Sequence, residues 1–113
     1  MTAMLFGMNA SRMTAVEELW RRHAKEAFPA RLTSVDVLGI EMVMLDADIA
    51  GCVGTWLHDG GTLDDRRWDV LAVRKRELGR VLPELAGEEA AYFRRLDEMV
   101  DLLRHSSAAP PPR

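Results

Sequence analysis

Residues 40–58 read IEMVMLDADIAGCVGTWLH, and how this stretch divides decides the fold. From Ile49 to Leu57 no residue is charged. Ile49, Cys52, Val53, Trp56 and Leu57 fall on one side of a helical wheel, which predicts a helix over 47–58 with Asp46 as its N-cap. A helix without a charged face is normally buried on most sides, so this one is expected to be the hub of the fold. Its other side, Ala50, Gly51, Gly54 and Thr55, is small enough to admit another backbone. Two interior glycines cost ~1 kcal/mol each relative to alanine, a loss that close packing would offset.

Upstream, Ile40, Met42 and Met44 alternate with Glu41, Val43 and Leu45, the period of a strand. Residues 32–35 read as a second short strand. Between them Asp36-Val37-Leu38-Gly39 carries Asp and Gly at the first and fourth positions of a type I turn. These features predict a two-stranded antiparallel hairpin, which is marginal alone and must pack on helices.

Three further helices frame this centre. Thr14 and Glu17 form a capping-box pattern that opens a helix over 15–28, closed by Pro29. Thr62 with Asp65 repeats the pattern for a helix over 63–82, with Gly60-Gly61 as the preceding stop. Tyr92, Phe93, Leu96, Met99, Val100 and Leu103 make an apolar stripe on a helix over 88–104. The expected architecture is therefore α+β, predominantly helical, in the order α-β-β-α-α-α with the hairpin on a helical bundle. Residues 1–13, with methionines at 1, 4, 8 and 13, read as a leader; 14–104 as one domain; 105–113, with three consecutive prolines, as an extended disordered tail.

Composition narrows the function. The 113 residues carry 15 Lys+Arg against 18 Asp+Glu, a net charge of −3. That balance disfavours general binding to a phosphate backbone. No apolar run reaches ~18 residues, so no membrane span is expected. A single cysteine excludes an intrachain disulfide and multi-cysteine metal motifs. A cytoplasmic protein without cofactor or structural metal is the expectation.

Candidate chemistry centres on Asp46 and Asp48. The run 42–48 resembles the first motif of haloacid-dehalogenase-like phosphatases, in which a carboxylate attacks phosphorus. Ile49-Ala50 depart from that pattern, and the chain is short for the parallel sheet that family requires. A calcium loop fails because Leu57 stands where a bidentate acid is needed. His58 and Asp59 lie roughly 15 Å along the helix from the aspartates, too far to share one ion. Cys52, with His23, His58 or His105 as potential partners, reads as a buried and inert thiol. The basic segment 66–80 contains Arg67 and Arg74, which fall inside the apolar arc of their helix. They either snorkel at the core edge, pair with Asp46, Asp48 or Glu41, or meet an anionic ligand.

Residues 45–57 and 60–67 resemble segments of small function-unknown proteins from high-GC bacteria. The resemblance implies an intracellular bacterial origin and carries no activity; the excess of arginine over lysine, 13 to 2, accords with it. The leading expectation is a non-catalytic protein-interaction module, a homodimer or a binder of another protein, with Trp68 and Tyr92 as interface candidates. One alternative is a small anionic-ligand-binding or hydrolytic protein using Asp46, Asp48, Arg67 and Arg74. The other is a nucleic-acid-binding regulator using 66–80.

Overall fold

The computed structural model describes residues 2–106, with side chains from Ala10 to His105, and its regular elements are all helical. They are α1 (Thr2–Lys25), a 3-10 turn (Ala30–Thr33), α2 (Met42–His58), α3 (Asp65–Val81), a second 3-10 turn (Leu82–Glu84) and α4 (Gly87–Ser106). α2 and α4 pack directly on each other. α1 lies along one side of that pair and α3 along the other; among the described residues α1 and α3 do not meet.

The expected hairpin is absent among the described residues, and the fold is helical rather than α+β. Leu32 and Thr33 of the first predicted strand belong to the 3-10 turn Ala30–Thr33, and residues 42–45 of the second open α2. Apolar residues at 40, 42 and 44 fit a strand, but Met42, Leu45, Ile49, Cys52, Val53 and Trp56 fit a helix better, and all six are buried. A short apolar run satisfies both periods, and its continuation decides between them. Met and Leu, good helix formers, let the helix begin at Met42.

What survives of the hairpin is one antiparallel bridge. Val37 and Ile40 exchange backbone hydrogen bonds of 3.0 and 2.9 Å. The expected turn is thus displaced by one residue and has the opposite hand: Leu38 has φ 52° and Gly39 φ 78°. Glycine adopts this region freely, whereas leucine there costs about 1 kcal/mol.

The other boundaries also shift. Thr14 caps nothing; its hydroxyl donates to Ala10 O at 2.9 Å inside a helix that begins at Thr2. Met13, at the end of the expected leader, lies half-buried where a Cβ on Gly61 would meet its methyl at 3.4 Å. Of the expected extended tail at 105–113, His105 and Ser106 instead complete α4, and 107–113 lie outside the described residues. The Gly60-Gly61 stop stands as expected: Gly61 N–H reaches Trp56 O at 2.7 Å and Gly60 N–H reaches Leu57 O at 3.3 Å, a Schellman closure with Gly60 at φ 74°. Asp64 rather than Thr62 caps α3, accepting from Arg67 N at 2.8 Å.

α2 is the hub in one sense only. It touches α1, α3 and α4. Its glycine side, however, is only partly covered: the Trp20 ring of α1 lies over Gly54, where a Cβ would meet it at 3.5 Å, while Ala47 and Gly51 are exposed and Ala50 and Thr55 half-exposed. With α1 and α3 placed at the flanks of α2 and α4 behind it, no helix remains to cover the outer side.

Candidate functional site

Moving the start of α2 upstream changes the role of both aspartates. Asp46 is no longer a cap, and both aspartates project from the helix body toward its neighbours. Asp46 meets α1 and α4. His23 Nε2 stands 2.9 Å from Asp46 Oδ1, and the Tyr92 hydroxyl donates to Asp46 Oδ2 at 3.0 Å. The phenol oxygen is also 3.2 Å from His23 Nε2. His23 is 7% exposed and Tyr92 5%, so the cluster is a closed tie between three helices.

Aromatic rings enclose it. His23 tilts against Tyr92 with ring centroids 4.6 Å apart, and Phe28 meets Tyr92 edge-on at 5.6 Å. Burial, reinforced by the Asp46 carboxylate, raises the Tyr92 phenol well above its usual value of 10.0. His23 Nδ1 is buried without a hydrogen-bond partner.

Asp48 turns the other way, toward α3. Its Oδ2 accepts from Arg74 Nε at 2.9 Å and Nη2 at 2.6 Å, while Arg74 Nη1 donates to Glu77 at 2.7 Å. Burial works against the Arg74 charge, but the bonds to Asp48 and Glu77 outweigh it and raise its pKa. Arg74 therefore pairs with a carboxylate of the central helix, one of the three expected arrangements. Arg67 does not; it folds back on Asp64 at 2.7 Å.

The remaining candidates are placed as follows. Tyr92 is a core residue rather than an interface residue. Trp68 is half-buried against the core. Cys52 is buried; that burial, with Asp48 and Asp64 nearby, raises its thiol pKa despite Arg67. Among the described residues no three His, Cys, Asp or Glu side chains come together as a metal site. No described helix is long and apolar enough to cross a membrane.

His23 was the residue missed by sequence reasoning about the site. Its signal was present: it lies seven residues after Val16 and three after Trp20, a polar group on an apolar face. Ala24 and Ala27 are exposed.

Outside this interior lies a surface of different chemistry. The exposed faces of the other helices are charged: Glu17, Glu18, Arg21, Arg22 and Lys25 on α1; Arg66, Asp69, Arg76 and Arg80 on α3; Glu88, Arg94 and Glu98 on α4. The outer face of α2 from Val43 to Thr55 shows Val43, Met44, Ala47, Ala50, Gly51, Gly54 and Thr55. Of the five large hydrophobic side chains most exposed among the described residues, Val43 and Met44 lie in the first turn of α2, Val35 and Leu38 on the segment that leads into it, and Val73 on α3. Along the C-terminal half of α2 lies a shallow, open depression lined by Trp20 of α1 and by Ala50, Gly51, Gly54, Thr55 and His58. No protein-family model, curated protein or solved structure matches this chain.

Proposed function

We propose that this protein is a non-catalytic interaction module that binds a second copy of itself through the outer face of α2. One observation carries the reading: in a chain with 29% charged residues, α2 presents Val43, Met44, Ala47, Ala50, Gly51, Gly54 and Thr55 as an uncharged outer strip, with Val43 and Met44 37% and 45% exposed. Exposed apolar side chains in a contiguous patch mark association surfaces. A face that meets its own copy must avoid repelling itself, and an uncharged one does.

The two alternatives draw less support. Asp46, Asp48, Arg67 and Arg74 each already hold a partner within the chain, so an incoming anion would have to displace one. On α3, Arg66, Arg76 and Arg80 are exposed, but Arg74 and Lys75 are engaged by carboxylates and Asp69 shares the surface. A free, buried Cys52 suits the reducing cytoplasm, where we place the protein.

Sedimentation equilibrium tests the proposal. The wild-type chain should dimerise with rising concentration, and Met44→Glu should shift it to monomer while leaving its helical circular dichroism unchanged. A wild-type chain monomeric at every concentration overturns the reading.

A further inference from the structure

We infer that the outer face of α3 makes a self-contact of its own, separate from the α2 face: it pairs antiparallel with α3 of another copy through complementary charges.

The residues that carry it repeat at helical spacing. Asp65, Asp69, Val73, Arg76 and Arg80 form one stripe along α3, and all five are exposed. Val73, in the middle, is 44% exposed. Two acids occupy the first half of the stripe and two arginines the second. None of these four charges has an ion-pair partner among the described residues, whereas Arg67, Arg74, Lys75 and Glu77 of the same helix are paired. Within one copy the stripe sets like beside like: Asp65 with Asp69 and Arg76 with Arg80, both at the unfavourable i,i+4 spacing. The helix dipole favours Asp65 in the first turn and Arg80 in the last. Its effect fades beyond those turns, so it does not account for Asp69 and Arg76.

A second copy supplies what each half lacks. With a two-fold axis between Ala72 and Val73, Asp65 faces Arg80 of the other copy and Asp69 faces Arg76, each twice by symmetry. The two Val73 side chains meet beside the axis. Arg66 falls opposite Gly79, which is exposed and where a Cβ would meet nothing within 4 Å, so no cation opposes it. Parallel pairing would put acid on acid and arginine on arginine. Among the described residues α3 packs on α2 and α4 and does not meet α1, which leaves its outer face open to a neighbour. The stripe is a single helix face roughly 25 Å long, less than a standard interface needs. The contact is therefore a weak one that forms and breaks readily and is screened by salt.

Disulfide trapping reads such a contact. A full chain with Cys52→Ala and Met44→Glu removes the native thiol and the α2 contact, so the outcome does not depend on the α2 reading. In it, Val73→Cys should cross-link about tenfold faster at low salt than Glu98→Cys on α4, which reports random collision. Arg76→Asp should bring the Val73→Cys rate down to the collision level, and Asp69→Arg added to Arg76→Asp should restore it. Arg94→Asp, an equal change of charge on α4, should leave the rate unchanged. The proposal is overturned by a Val73→Cys rate no faster than that of Glu98→Cys. It is equally overturned by a rate that Arg76→Asp does not slow, that Asp69→Arg does not restore, or that Arg94→Asp slows as much.

Discussion

His23 and Asp46, 23 positions apart in the chain, meet at 2.9 Å between Nε2 and Oδ1, and Tyr92 closes the contact from α4. One carboxylate thus holds three helices. The hydrogen bonds also fix the register of α1 on α2, because a shift of one turn would leave the carboxylate buried without partners. Removing one partner of such a group costs more than its net contribution when paired.

Tyr92→Phe deletes a single hydroxyl and keeps the ring packing. It should lower the unfolding free energy by about 1–2 kcal/mol, and the melting temperature by about 5 °C per kcal/mol. His23→Ala should cost more, because it also opens a cavity beside Trp20 and Tyr92. Urea titration followed by circular dichroism measures both.

Tyr92 is the one tyrosine of the chain, so ultraviolet absorbance of the phenolate reads it alone. Burial and Asp46 raise its pKa in the folded protein. The folded state therefore keeps a proton that the unfolded state loses near pH 10. This stabilising contribution is complete below that pH and declines as pH rises above it. Phenolate absorbance should stay absent in native protein above pH 10 and appear together with unfolding. A native titration near pH 10 would contradict the buried geometry.

Leu38→Gly removes a leucine from the left-handed region, where φ is 52°. Stability of the single chain should rise by about 1 kcal/mol, offset in part by the freer glycine backbone in the unfolded state. Self-association should weaken, because the exposed leucine side chain is lost. Denaturation at low concentration and sedimentation at high concentration separate the two effects.

Asp48 and Arg74 suit a double-mutant cycle. The guanidinium is 19% exposed and the carboxylate 34%, so solvent screens part of the attraction. A coupling energy of about 1 kcal/mol is expected, falling as salt is added. Glu77 keeps its own bond to Arg74 at 2.7 Å, so Asp48→Ala alone should cost less than Arg74→Ala.

The helical stripes were readable because their periods are long. Residues 92–103 bury Tyr92, Phe93, Leu96, Met99, Val100 and Leu103, as the spacing requires. The Gly60-Gly61 stop was equally plain, since it depends on local backbone freedom. The run 40–45 was not, because six residues satisfy either period and only the burial of Met42 and Leu45 on the same helix face as Ile49, Cys52 and Trp56 selects the helix. The site followed that choice: at the start of a helix over 47–58, Asp46 as its cap would have served its own helix, whereas inside α2 Asp46 reaches His23 and Asp48 reaches Arg74.

Local signals in the sequence determined which residues are apolar, where most helices run and where they stop, because propensity and periodicity act over a few turns. Tertiary structure alone decided that Asp46 binds His23 and Tyr92 and that the glycine side of α2 faces outward. Those outcomes depend on which helix lies beside which, and contacts between distant parts of the chain leave no mark on local spacing.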